Sequence, residues 1–249
     1  MFDLSTADYF ILGLCGLLIG MTKTGLPGLG ILVVPLMASI LPAKASVGVV
    51  LPMLIFADIF AVSYYRRHAV WRHLLPLIPW TSTGLLTGYW AMGLVSDAQL
   101  RPIIGIIVLI MLGVNFWRTR KLKDEDAIPS HWAFAASLGF FAGLTTMMAN
   151  AAGPIMIIYL LAMRLPKTEF IGTGAWYFMI VNWVKVPFFL DREIISGATL
   201  RLDLFAFPAI AIGAFIGIFF LKRVPEKAFS IAVQMLAVVA ALNLVFSFL

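Results

Sequence analysis

Two stretches of helix-breaking residues interrupt a chain that is otherwise apolar almost from end to end, and they fall at matching places in its two halves. The first is Lys23-Thr24-Gly25-Leu26-Pro27-Gly28-Leu29-Gly30 and the second is Met148-Ala149-Asn150-Ala151-Ala152-Gly153-Pro154. Each lies inside an apolar run. Each is followed by a short apolar segment and then a Leu-Pro turn, at Leu41-Pro42 or Leu165-Pro166. Irregular backbone at membrane depth survives only where it is buried in protein or lines a wet cavity. Breaks at equivalent points of two halves are the pattern of a secondary transporter's substrate site.

Composition makes the membrane setting hard to avoid. Of 249 residues, 62% are hydrophobic and only 12% charged, and the mean hydropathy is +1.00. A water-soluble domain of this length carries far more polar surface. The start of the chain has Asp3 and Asp8 but no basic residue before the first apolar segment, so a cleaved signal peptide is not expected. Cys15 is the single cysteine, which excludes an internal disulfide. The formal charge of +6 sits in short linkers between apolar segments, where topology charges belong, and no nucleic-acid partner is implied. His68, His73 and His131 form no metal-ligating pattern, no catalytic set is apparent, and no cofactor is implied.

The expected fold is all-α: a polytopic integral membrane protein with two inverted repeats and broken or re-entrant helices. Apolar segments run near 9–22, 28–41, 45–65, 74–95, 99–117, 132–149, 153–163, 168–190, 203–221 and 228–248. Residues 1–117 form the first repeat, the polar stretch 118–130 a cytoplasmic linker, and 131–249 the second repeat. Pro42, Gly48 and Asp58 match Pro166, Gly172 and Asn182 at one constant spacing. Gly84 and Gly88 match Gly213 and Gly217 after a small insertion, and Asp97 falls opposite Glu226. Three basic loops, at Arg66–His73, in the linker, and at Lys222–Lys227, share the cytoplasmic side only if each half crosses an odd number of times. Two arrangements satisfy that parity. Either all ten segments cross, or segments 9–41 and 132–163 are re-entrant hairpins flanked by three crossings per half. Both chain ends then lie on the side away from the cytoplasm.

Lys23 is the leading candidate for substrate contact. An ammonium beyond a fully apolar segment needs water or an anion. Beside it, Thr24, Gly25, Gly28 and Gly30 supply a hydroxyl and backbone N–H groups, and a helix starting near Pro27 or Gly28 would turn its positive end to the same place. The alternative is a lysine snorkelling to the interface. In the second break, Asn150, Thr146 and a helix restarting at Gly153 form the counterpart, with helix capping as the competing role. Asp58 is a carboxylate in an apolar stretch. It either pairs with Lys23, Lys185 or Arg66, or exchanges protons and couples transport to them. Asn182 occupies the matching position, and Lys185 follows on a similar face. The Gly84-Gly88 and Gly213-Gly217 pairs have the spacing that lets helices pack closely.

With these residues in view, the chain resembles the TauE/SafE family of membrane permeases. The resemblance rests on Gly16-Leu17-Leu18-Ile19-Gly20 followed by Lys23-Thr24-Gly25, on Pro35-Leu36, on the turn Pro42-Ala43-Lys44-Ala45, and on Gly172-Thr173-Gly174-Ala175-Trp176. It implies a multi-pass transporter of the bacterial cytoplasmic membrane for a small sulfur-containing or organic anion, such as sulfite, sulfoacetate or another sulfonate. Alternating access is the expected mechanism, with protons or sodium as possible coupling ions. An anion channel, a membrane-embedded enzyme and a structural subunit are the competing classes. Lipid is the surrounding partner, and the Gly-rich surfaces would also serve a homodimer.

Overall fold

Ser5 opens the first helix with a reciprocal cap. Its hydroxyl accepts from the Asp8 amide at 3.3 Å while the Asp8 carboxylate accepts from the Ser5 amide at 2.9 Å. In this computed structural model, which describes residues 2–25, 28–121 and 132–219 together with 235, 238, 239, 241, 242, 245 and 246, ten α-helices follow in order: α1 (Thr6–Thr24), α2 (Gly30–Ile40), α3 (Ala43–Tyr65), the single turn α4 (Trp71–Leu74), α5 (Ile78–Leu94), α6 (Asp97–Lys121), α7 (Trp132–Ala149), α8 (Gly153–Ala162), α9 (Lys167–Asp191) and α10 (Gly197–Phe219). Among the described residues five helices are long and apolar enough to cross a membrane, and α2 and α8 are shorter apolar helices. The chain is an all-α polytopic membrane protein. Helix α6 runs to Lys121, so the polar linker begins as helix, and its remainder lies outside the described residues. The expected last segment, with Glu226 and the Lys222–Lys227 loop before it, also falls largely outside them.

The two breaks form where anticipated, by different local means. Gly28 takes φ of +111°, which only glycine adopts without strain, and α2 resumes at Gly30. Asn150 takes φ of +54°, the left-handed conformation that asparagine tolerates best after glycine. Pro154 then sits in the first turn of α8, where its missing N–H costs nothing. Pro42 and Pro166 cap α3 and α9 in extended conformation, which fixes both Leu-Pro turns. The first turn is also clamped from outside. Asp97, at the start of α6, accepts from the Ala43 and Lys44 amides at 2.9 and 2.8 Å, and Arg101 donates to the Ala38 carbonyl at 2.9 Å. An acid thus meets the start of α3 and a base the end of α2, as the helix dipoles favour.

Glycine decides which helices touch. Helix α1 runs beside α10 from Tyr9 against Phe205 to Gly25 against Gly217. A Cβ at Gly20 would lie 2.2 Å from the Ile210 carbonyl oxygen, and one at Gly213 would lie 2.1 Å from that of Leu17. Helices α7 and α5 make the same seam: a Cβ at Gly143 would lie 2.2 Å from the Thr81 oxygen, and one at Gly84 would lie 2.0 Å from that of Phe140. Small residues let backbones approach this closely in a membrane, where the hydrophobic effect gives no drive for helices to associate.

Helices α3 and α9 lie antiparallel across the centre. Gly48 abuts Ile194 at one end, Gly172 abuts Tyr65 and His68 at the other, and Asp58 meets Asn182 between them. Asp58 and Asn182, matched by spacing in the sequence, are thus in direct contact in this pair.

The members of each broken pair differ in length. Helix α1 follows α10 along its whole length. Helix α2, with 11 residues, spans about 16 Å, half of the roughly 30 Å hydrocarbon core. Each broken pair is a long helix followed by a short return, α1 by α2 and α7 by α8.

Candidate functional site

Both breaks open onto one cavity of about 120 Å³. Lys23, Gly25, Gly28 and Gly30 line it from the first, and Thr146, Asn150 and Gly153 from the second, with Asn182 between them on α9. A single water needs about 10–15 Å³ of such space, so the cavity has room for a small ligand and its hydration. Neither α2 nor α8 has a side-chain cap at its N-terminus, although the Ile31 and Leu32 amides of α2 donate to the Gly28 and Leu29 carbonyls.

Lys23, in the last turn of α1, bonds Asp58 Oδ1 through Nζ at 2.8 Å and stands 4.0 Å over the Phe178 ring. Asp58 is fully buried on α3, and its second oxygen accepts from Asn182 Nδ2 at 2.7 Å. Tyr65 donates to the Thr24 carbonyl at 3.1 Å, satisfying one of the acceptors that the end of α1 leaves open. A second cation lies behind the other break. Lys185, 0% exposed, reaches the Thr146 carbonyl and hydroxyl oxygens at 3.1 Å each, and also Asn150 Oδ1. Three oxygens match the three donors of an ammonium. Asn150 donates in turn to the Val47 carbonyl at 3.0 Å, which ties the second break to the start of α3.

Among the described residues, two lysines, Lys23 and Lys185, and one acid, Asp58, stand around the cavity, and of these Lys23 lines it. Charges buried in a membrane protein are paired or face water. Lys23 is the lysine in the lining, and a negative ligand entering the cavity would meet it there.

The candidates named from sequence are thus brought together, with two differences of role. Thr24 does not line the cavity. Its hydroxyl donates to the Gly20 and Ala214 carbonyls at 3.0 and 2.9 Å, in the α1–α10 seam. Lys185 and Asp58 also stand outside the lining and act through Asn150, Thr146, Lys23 and Asn182. Thr22 and Phe178 line the cavity and were not singled out from sequence. Phe178 could have been, because it shares a helical face with Asn182 and Lys185.

Lys185→Met removes a donor from three oxygens, of which the Thr146 carbonyl keeps the Asn150 amide at 3.0 Å. Each stranded acceptor costs about 1–3 kcal/mol, so the variant should melt clearly below the parent in detergent. It should also lose ligand binding at the cavity through a loosened Asn150. A melting curve and a binding titration on the same preparation check both.

Asp203 on α10 is a further buried carboxyl, 1% exposed, with no hydrogen-bond partner for either oxygen among the described residues, and it does not line the cavity. Asp203→Leu keeps the branched shape and removes the unpartnered oxygens. The expected result is a gain of about 1–3 kcal/mol, read as a higher melting temperature; a lower one would mean that Asp203 holds an interaction the fold depends on.

The family model described as Sulfite exporter TauE/SafE matches residues 12–244. Over 182 residues the chain is 27% identical to the "Probable inner membrane transporter protein TsaS" of Comamonas testosteroni, an alignment that covers 72% of this chain and 73% of that protein. No solved structure matches the chain.

Proposed function

The chain belongs to the sulfite exporter TauE/SafE family and is a membrane transporter, and we propose that it moves a small sulfur-containing or organic anion, such as sulfite, sulfoacetate or another sulfonate, across the bacterial inner membrane. The observation that carries this is the cavity bounded by both breaks, with Lys23 in its lining. The first-turn amides of α2 and α8 add partial positive charge at the same cavity.

Movement is by alternating access between two inverted repeats. Support comes from the paired seams: α1 on α10 and α7 on α5 make corresponding glycine contacts, and α3 crosses α9 antiparallel at Asp58 and Asn182. Equivalent helices that meet antiparallel are related by an axis in the membrane plane, the symmetry that lets one bundle rock against the other around a fixed site. Asp58 is the proposed coupling group, because it and the incoming anion compete for Lys23. When the anion takes Lys23, Asp58 takes a proton.

Uptake of sulfite and sulfoacetate into proteoliposomes, with pH and sodium gradients imposed separately, tests this. Saturable flux, counterflow exchange and acceleration by a proton gradient are expected. An ohmic, non-saturating conductance would instead make the chain a channel, and no flux of any small anion would remove the anion reading.

A further inference from the structure

Resting on that anion reading, we propose that Asn182 selects among anions: the site takes those that still carry a hydrogen-bond donor, such as a hydroxyl, an amine or a retained acid proton, over those with acceptors alone.

The orientation of the Asn182 amide is fixed by its neighbours. Its nitrogen lies 2.7 Å from Asp58 Oδ2, while Asp58 Oδ1 is engaged by Lys23 at 2.8 Å. A carboxylate is an acceptor only, so the group facing it must be the amide N–H and not the amide oxygen. Asn182 Oδ1 is thereby left as an acceptor that cannot turn into a donor without setting two oxygens against each other. Among the described residues no group donates to it, although the residue is fully buried and lines the cavity. The Thr22 hydroxyl, also lining the cavity, is likewise buried without a partner. Buried polar atoms left open are rare in folded proteins, and each asks for a ligand or a water to complete it.

Three polar groups of the lining define a complement. Lys23 wants a negative oxygen. Asn182 Oδ1 wants a donor hydrogen. Thr22 accepts either, since a hydroxyl both gives and receives. An anion made only of acceptor oxygens satisfies Lys23 and Thr22 but sets a lone pair against Asn182 Oδ1. An anion bearing an O–H or N–H satisfies all three. The positive groups therefore account for binding an anion at all, and Asn182 for which anion is taken.

Sulfamate and methanesulfonate make the comparison cleanly. They are nearly the same size and both carry one negative charge at neutral pH, but only sulfamate brings N–H donors. Dissociation constants for both, measured on the purified full-length chain in nanodiscs, should favour sulfamate by about tenfold or more, the effect of leaving one buried acceptor unpaired. In Asn182→Leu that ratio should fall to near one. In Asp58→Asn the new amide keeps its oxygen on Lys23 and turns its NH2 to Asn182, whose amide flips to accept it and presents N–H to the cavity, so the ratio should fall to one or below. Equal affinities in the parent chain, a preference for methanesulfonate, or a sulfamate preference that survives Asn182→Leu would each overturn the proposal while leaving the anion site standing. Failure of both probes to bind the parent chain would overturn the anion site itself, and this inference with it.

Discussion

Lys23→Gln should weaken anion binding about 10- to 100-fold and reduce uptake in proportion. A hydrogen bond to a charged group contributes about 1.5–3 kcal/mol, and every 1.4 kcal/mol is about a factor of ten in affinity. The single variant also does something else. It leaves Asp58, fully buried on α3, without its ammonium partner at 2.8 Å. Breaking a buried ion pair from one side costs about 3–5 kcal/mol. A loss of uptake in Lys23→Gln alone could therefore reflect a damaged bundle rather than a missing ligand contact. The double variant Lys23→Gln/Asp58→Asn separates the two effects. It replaces an ion pair with a neutral amide pair, so most of the lost thermal stability should return while anion binding stays lost. Melting temperature and anion affinity then part company. If the double variant recovers both, Lys23 serves only to neutralise Asp58, and the cavity owes its anion preference to something else.

Much of this site can be read from the amino-acid order, because in an apolar chain every polar or helix-breaking residue stands out. The breaks at Gly25–Gly30 and Asn150–Pro154 were located by their glycines, asparagine and proline, and both line the cavity. Asp58 and Asn182, matched by spacing alone, touch each other at 2.7 Å. What spacing cannot give is the choice among long-range partners. Asp58 had Lys23, Lys185 and Arg66 as possible mates, and only the packing of α1 against α3 selects Lys23. Thr24 adjoins Lys23 in sequence yet turns to the opposite side of α1, because consecutive helical residues point about 100° apart. Asp203 escapes notice because it stands where an apolar run begins, a place in which an acid reads as solvent-facing; only the preceding turn of α10, from Gly197, draws it inside. The clamp of Asp97 and Arg101 on the Leu41-Pro42 turn is similarly invisible, since it joins residues more than fifty positions apart.

The largest effects on folding should come from the seams rather than the site. Gly20→Ala places a methyl group 2.2 Å from the Ile210 carbonyl oxygen and 2.6 Å from the Ala214 nitrogen, and Gly143→Ala places one 2.2 Å from the Thr81 oxygen. These obstacles are backbone, so no rotamer change relieves them, and the paired helices must move apart along their length. Overpacking of this kind costs about 1–3 kcal/mol even where side chains can yield, and more is expected here. Gly13→Ala on the same helix α1 is the control: a Cβ there meets nothing within 4 Å, and alanine is the better helix former by about 1 kcal/mol. Gly13→Ala should therefore fold at least as well as the parent, whereas Gly20→Ala and Gly143→Ala should give little monodisperse protein on size exclusion in detergent. The two seam variants should also fail to a similar degree, because α1 on α10 and α7 on α5 present the same contact to each methyl group. If one seam tolerates alanine and the other does not, the two halves are unequal in packing. The rocking unit would then have to be sought in the tolerant seam, since an interface that accepts a methyl group there is one that already has room to slide.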